Sequence, residues 1–475
     1  MNKPVSVVIM GASGNLALTK LLPSLYTLYT SGALPPHFTI SGYARTAMSH
    51  DEFRAKVKSN LMDNVEETQL VDSLVNNFLD KLFYHAGNYG SVEDFVQLKT
   101  ELDEVNAEFG EDIKRVFYLS IPPAVFEPVI HSLRESKLVE KGNLDHFVVV
   151  EKPFGYDTDS ARELNATIEQ TFDESQVCRI DHYLGKEAIQ NLMVMRFANI
   201  IFEPVWNRNY IESVTISWEE DKAIGERGGY FDDAGIIRDV IQNHLLQILA
   251  LVAMEQPIAN TSDAIASEKS RVLKAITPFK SEDIVIGQYT DGVCSGRSVN
   301  CYRDEPGVPK DSMRDTFAAI KCEINNQRWS GVPFVVKAGK AMTKSCTEII
   351  IKFKDVVGSI FTNSPHHPNK LVIRVQPEAG MIFNITNKVP GKGMVLKDVK
   401  MDFTYNSGFD VAMPGAYERL LLDAINGDKS LFISYDELIQ SWELFTPIVK
   451  KIDAGENELH FYRAGTSGPE AAKFK

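Results

Sequence analysis

No stretch of the 475 residues stays apolar long enough to cross a bilayer: the longest such run, Leu245 to Met254, contains Gln247 and falls short of the roughly 20 residues a spanning helix needs. Cysteine is sparse. Cys178, Cys294, Cys301, Cys322 and Cys346 are odd in number and show neither Cys-x-x-Cys nor a His pair at metal spacing. That argues against a disulfide framework and a zinc site, and predicts reduced thiols, no metal centre and a cytoplasmic location. Positive charge is also in deficit, with 50 Lys and Arg against 64 Asp and Glu for a formal net charge of −14. Neither nucleic acid nor an anionic membrane is attracted by such a field, so a phosphorylated ligand must be held by local cations. There is no internal repeat, no low-complexity segment and no signal-peptide pattern ahead of the first apolar run, Val5 to Met10. The pair His366-His367 sits in a proline-rich stretch and reads as surface.

What is present suits a globular protein of roughly two to four domains, with 44% hydrophobic and 24% charged residues. The opening reads strand, glycine turn, helix, strand. Val5 to Met10 is apolar, Gly11-Ala-Ser-Gly14 turns, and Leu16, Leu21, Leu22, Leu25 and Leu28 mark a helix that carries Pro23 at some cost. This is the first unit of a Rossmann-type dinucleotide-binding domain, assigned to residues 1–178. Its spacing, Gly-x-x-Gly-x-x-Ala, departs from Gly-x-Gly-x-x-Gly, but Gly11 permits the turn, Gly14 admits a pyrophosphate and Ala17 lets helix and strand pack closely. Gly11, Ala12, Ser13, Gly14, Asn15 and Leu16 are therefore candidate cofactor contacts. The second strand, Phe38 to Ala44, ends at Arg45 rather than at the acid that takes a ribose diol. A guanidinium there suits the 2′-phosphate of NADP; the alternative is a solvated strand-end arginine. The strand Phe147 to Val150 runs into Glu151-Lys152-Pro153, which delivers Lys152 beyond a carboxyl end, where open parallel sheets bind ligands.

After residue 178 the pattern changes, and 179–475 is assigned to a second, α+β domain. Strand candidates at 212–218, 316–324, 347–353, 371–375, 381–386 and 399–405 follow one another without helices between most of them, which predicts a large antiparallel sheet with helices on one face. Its uncovered face suits a homodimer or homotetramer interface. Helices are predicted at 416–427 and 434–454, the latter opened by the capping-box pair Ser434 and Glu437. The helix from about Ala234 to Met254 buries Ile237, Ile241, Leu245 and Ile248, presents Asp239, Gln242 and Asn243 as a polar patch and leaves His244 beside the buried stripe. By pattern alone His244 reads as a hydrogen-bonded core histidine.

One run of nine residues, Arg179-Ile-Asp-His-Tyr-Leu-Gly-Lys-Glu187, crowds an acid, an imidazole, a phenol and an ammonium before a helix predicted to start near Gly185 or Lys186. Such an arrangement suits an anion, a phosphate above all; it equally describes a capped helix with a solvated loop. This run resembles the active-site signature of the glucose-6-phosphate dehydrogenases. The resemblance extends from Gly11–Ala17 through Glu151–Gly155, Gly228–Phe231 and Arg238–Gln247 to Gly468-Pro469, essentially the whole chain. It implies oxidation of D-glucose 6-phosphate to 6-phospho-D-glucono-1,5-lactone with NADP, the opening step of the oxidative pentose phosphate pathway. It implies His244 as general base oriented by Asp181, and His182, Tyr183 and Lys186 on the 6-phosphate. Glu220 and Asp239 fall to sugar hydroxyls, Lys340 and Gln376 to further substrate contacts, and Lys152 lies between sugar and nicotinamide, with a Lys152-Pro153 bond that can be cis. Asn15 departs from the Asp of many relatives. Ser345 departs from an arginine of the animal enzymes, and Lys344 beside it is the expected substitute. Two alternatives remain at this point: another Rossmann-type sugar oxidoreductase, or an NADP-binding sensor without turnover.

Overall fold

The computed structural model describes residues 3–110, 113–361, 367–409 and 413–474; His366 of the histidine pair lies outside them. The chain divides into two compact units: residues 1–185, 261–266 and 414–439 form the first, and 186–260, 267–413 and 440–475 the second. The division follows packing rather than chain order. Residues 414–439, expected with the second domain, belong to the first.

The reason lies in the seven-stranded sheet of the first unit. Its order is Phe432–Ile433, Val177–Ile180, His146–Val150, Lys114–Leu119, Val5–Met10, Phe38–Ala44 and Leu82–Ala86. All pairs are parallel except the outermost, Phe432–Ile433 on Val177–Ile180. A parallel sheet must be covered on both faces. Leu420, Leu421, Ala424 and Ile425 of the helix Ala416–Asn426 join Val5, Val7, Val116 and Tyr118 in one core and supply part of that cover. The first helix is interrupted: Ala17–Leu21 is π-helical and Leu22–Thr30 is α-helical, with Pro23 in the first turn of the α-helix. Pro23 lacks the N–H that a regular ladder would use, and the widened turn lies just before it.

The second unit is built on a nine-stranded sheet of order Leu396–Thr404, Gly380–Lys388, Lys370–Gln376, Cys346–Phe353, Ile211–Glu219, Pro333–Gly339, Phe317–Glu323, Ile284–Thr290 and Leu459–Arg463. It is mainly antiparallel, as expected, with two parallel pairs. Pro333–Gly339 lies parallel to Ile211–Glu219, and Leu459–Arg463 parallel to Ile284–Thr290; these insertions were not marked by the sequence pattern. Leu396–Thr404 has no buried residue, and Gly380–Lys388 only its first, so this end of the sheet is largely uncovered within the chain.

The long helix expected over 234–254 is three pieces. Gly228–Ile236 ends at Gly235, whose φ of 72° breaks the helix; Ile237–Leu245 is π-helical; Leu246–Ala253 is α-helical. By length and composition the stretch Gly225–Ala253 could cross a membrane, but 89% of its apolar window is buried inside the structure, as in a core helix. Of the expected polar patch, Gln242 and Asn243 are buried, as is His244, while Asp239 is half-buried. Gln242 donates to Ser441 at 2.8 Å, and Asn243 donates to the Arg238 carbonyl at 2.9 Å.

Candidate active site

In the first unit the glycine turn is built as its spacing requires. Gly11 has φ 87°, and a Cβ there would lie 2.2 Å from the Ser120 carbonyl oxygen, so only glycine fits. Its N–H donates to Tyr43 at 2.8 Å, and that of Gly14 donates to Gly11 at 2.9 Å. A Cβ on Gly14 would meet nothing but the Gly11 carbonyl, at 3.1 Å, leaving bare backbone facing open space. Ala12 and Ala17 are fully buried, and the helix begins at Asn15, directly after Gly14, whose carbonyl accepts the Leu18 N–H at 3.2 Å. That backbone fits a pyrophosphate. Ser13 Oγ lies 3.4 Å from Thr46 Oγ1, next to Arg45, and the Thr19 hydroxyl donates to the Asn15 carbonyl at 2.9 Å. Arg45 is exposed and stands over the Tyr89 ring at 5.7 Å.

Lys152 follows the strand His146–Val150 and precedes Pro153 through a cis bond. Its neighbour Glu151 is held in place: the phenol of Tyr118 donates to its carboxylate, Tyr417 also bonds it, and burial pushes its carboxyl above the usual range. Tyr417 in turn stacks on His182, with centroids 6.4 Å apart and planes 9° apart. Sequence reasoning missed this Tyr118–Glu151–Tyr417 group, because its members are far apart in the chain and only Glu151 adjoins a recognised motif. Asp181, 2% exposed, accepts the Tyr183 N–H at 2.9 Å, a local turn that fixes both residues. Arg179, by contrast, turns away from the polar run and pairs with Glu174 at 2.8 Å in the core.

The chain enters the second unit at Lys186, which occupies the N-cap position of the helix Glu187–Phe197, as expected. Burial lowers the pKa of the Lys186 ammonium. Lys340, at the end of Pro333–Gly339, pairs with Glu220 at 2.6 Å and stands 4.5 Å over the Trp218 ring. The parallel strands Ile211–Glu219 and Pro333–Gly339 bring these two charges to one sheet end, and the π-helical segment carrying Asp239 and His244 packs on both strands. His244 is 3% exposed, and its backbone N–H is accepted by the Asn243 side chain at 2.6 Å. Gln376 ends the strand Lys370–Gln376 at a second cis bond, to Pro377.

Lys344 is placed differently from Lys340. Its side chain is 57% exposed, and Glu348 lies 3.7 Å away. Burial alone would lower its pKa, but Glu348, Cys346 and Glu219 together outweigh that and the value is raised. Ser345 does not replace the expected cation either; its hydroxyl donates to Asp221.

Comparison with known proteins agrees with this geometry over the full length. Residues 8–191 match the family profile "Glucose-6-phosphate dehydrogenase, NAD binding domain", and 193–474 match "Glucose-6-phosphate dehydrogenase, C-terminal domain". The chain belongs to the glucose-6-phosphate dehydrogenase family. Within it, the chain is 45% identical to glucose-6-phosphate 1-dehydrogenase 1, chloroplastic, of Arabidopsis thaliana, covering 99% of this chain and 82% of that protein. It is 43% identical to glucose-6-phosphate 1-dehydrogenase 5, cytoplasmic, of the same plant, covering 98% and 90%. A solved glucose-6-phosphate dehydrogenase in complex with its substrate glucose-6-phosphate superimposes with a TM-score of 0.93 at 40% identity, covering 99% of this chain and 96% of that one. Membership of this family makes the chain an oxidoreductase with a nicotinamide dinucleotide cofactor.

Proposed function

We propose that the protein oxidises D-glucose 6-phosphate to 6-phospho-D-glucono-1,5-lactone with reduction of NADP, opening the oxidative pentose phosphate route. NADP, when bound, supplies the hydride acceptor; the chain's own residues position the sugar and move its proton. His244 takes the proton of the anomeric hydroxyl, and Asp181 serves as the carboxylate that fixes its tautomer and stabilises its cation. Asp239 and Glu220 accept from sugar hydroxyls, and His182, Tyr183 and Lys186 donate to the phosphate. The lowered pKa of Lys186 reflects burial that a dianion would offset. Lys340 and Gln376 complete the sugar site, and Lys152 serves both sugar and cofactor. Lys344 adds positive field rather than a fixed contact, because Glu348 shares its ammonium.

The observation that carries this reading is the setting of His244. An imidazole 3% exposed shares a helical segment with Asp239 and rests on the two strands whose ends hold Glu220 and Lys340. A sensor without turnover has no use for such a base. NADP rather than NAD is favoured by Arg45, which stands at a strand end with no acid to repel a 2′-phosphate. We place the protein in the cytoplasm on its five free cysteines, and as a dimer or tetramer through the uncovered strands Gly380–Lys388 and Leu396–Thr404. Cell fractionation and sedimentation test these two statements.

The deciding experiment is the initial rate of reduced-nicotinamide formation with glucose 6-phosphate, with NADP and NAD at equal concentration. Fast turnover with NADP and much slower turnover with NAD is expected. Comparable rates overturn the cofactor preference alone. No rate with either, in protein that binds NADP, overturns the reaction, and activity on free glucose or inositol would then point to another sugar oxidoreductase.

A further inference from the structure

We propose that Asp315 is a positioning residue: it fixes the start of the helical segment carrying Asp239 and His244 in register with the strand end carrying Lys340. The inference rests on the reading of those residues given above. Gly235 breaks the preceding helix, so a new helical N-terminus begins at Ile236 and Ile237, where the first N–H groups have no partner within the helix. Asp315 meets two of them. Its carbonyl accepts the Ile236 N–H at 2.9 Å, and its carboxylate accepts the Ile237 N–H at 3.1 Å. The residue is 2% exposed, and a Cβ on Gly235 would come within 2.5 Å of its carboxylate oxygen, so the approach requires glycine. A carboxylate at the positive end of a helix is held by the dipole as well as by the hydrogen bond.

The residues on either side of Asp315 tie the same point to its surroundings. Thr316 accepts the Lys340 N–H on its carbonyl at 2.9 Å. The Tyr462 phenol, 3.0 Å from the Thr316 hydroxyl, donates to the Lys340 carbonyl at 2.7 Å. Arg314 reaches Asp453 at 2.8 Å, and Asp453 also takes Arg238 at 2.6 Å. Three consecutive residues thus hold both the strand end with Lys340 and the helix start two residues before Asp239. The Asp315 side chain accepts from the helix N-terminus itself, while that of Arg314 donates to the Asp232 carbonyl before the Gly235 break. Without that acceptor the first turn is free to tighten from π towards α geometry, which rotates Asp239 and His244 about the axis. Asp315 touches no reacting atom and acts through the segment it caps.

The test uses the full chain with Asp315→Ala and Asp315→Asn. For Asp315→Ala, kcat/KM for glucose 6-phosphate should fall about tenfold to a hundredfold, with KM raised and kcat lowered together, as for a small misplacement of reacting groups. The dissociation constant for NADP, titrated without sugar, should stay within about twofold. Asp315→Asn keeps an oxygen for the Ile237 N–H and should remain within about threefold of the parent, since asparagine is as good a cap as aspartate. A purely structural role would lower thermal stability and the active fraction while leaving KM and the kcat per active site unchanged; that result overturns the proposal. Equal losses in both variants overturn the acceptor argument. If Asp315→Ala does not fold, Asp315→Leu, which also lacks the acceptor but fills the space, carries the same test, and parental kinetic constants in it are equally fatal. Turnover of the unmodified chain in the same assay checks the underlying reading separately, so a failure of Asp315 alone leaves that reading standing.

Discussion

Two helices in this chain begin after a glycine with positive φ and pass through a π-helical stretch: Ala17–Leu21 after Gly11, and Ile237–Leu245 after Gly235. They are used in opposite ways. The first is left without a side-chain cap, with Gly14 presenting bare backbone, so an external anion can take the place of the cap. The second is closed at its N-terminus by the chain's own Asp315, and what it offers is its flank, with Asp239 and His244. An open helix end recruits charge, whereas a capped one holds geometry. That difference matches the two tasks of a dehydrogenase, which must grip a dinucleotide and must aim a base.

The sharpest way to break the comparison is to remove what the capped helix aims. In His244→Asn, kcat should drop about 10²- to 10⁴-fold, the range of general base catalysis, with glucose 6-phosphate binding near normal by calorimetry; unchanged turnover would remove His244 from the mechanism. Next comes the paired glycine test. Gly235→Ala meets both a positive φ, costing about 1–3 kcal/mol, and a clash with Asp315, so thermal stability and turnover should fall together. Gly14→Ala has no such strain and should mainly raise the KM for NADP, by about tenfold if it displaces one charged hydrogen bond. If both variants behave alike, the distinction between an open and a capped end is wrong.

A pH experiment sharpens the contrast further. Burial pushes the Asp315 carboxyl up to about 6, against the pull of Arg314, of the Ile237 N–H and of Arg238; its negative charge in turn helps raise Tyr302. The folded state therefore holds a proton that the unfolded chain has already released, and the contribution of Asp315 to stability declines as pH rises from about 4 through 6, on the order of 3 kcal/mol in all. In Asp315→Asn this decline should vanish, so the difference in unfolding free energy between pH 4.5 and pH 7 shrinks relative to the parent. A parallel pH dependence in the two proteins would count against it. The smallest effect is expected at an ordinary cap. Ser434 accepts the Glu437 N–H at 3.3 Å, and Ser434→Ala should cost about 1 kcal/mol in chemical denaturation with no change in KM.

The first helix was legible in the sequence because everything that shapes it is local. A buried strand, two glycines and an alanine at fixed offsets, and a proline that withdraws a donor are all within twenty-odd residues of one another. Lys186 as the helix start, Lys152 at a strand end and the cap at Ser434 were legible for the same reason. The second helix was not. Its apolar stripe suggested a regular helix from Ala234, with Gln242 and Asn243 in a polar patch and His244 beside the buried stripe. All three are buried on a π-helical segment that follows the Gly235 break, and the carboxylate that accepts its Ile237 N–H, that of Asp315, comes from a distant stretch of the chain. Lys344, expected as a substrate cation, lies 3.7 Å from Glu348, only four residues on in the chain.

By itself the sequence determined the dinucleotide turn, the alternation of strands and helices, the polar run from Asp181 to Lys186 and the types of residue available for catalysis, because each is set by backbone sterics or short-range periodicity. Only the tertiary structure decided that residues 414–439 complete the first sheet, that two strands enter the second sheet parallel, and that the Asp315 carboxylate accepts the Ile237 N–H at the start of the segment carrying His244. Those outcomes follow from covering apolar faces and satisfying buried polar groups across long separations in the chain, a requirement that no local window contains.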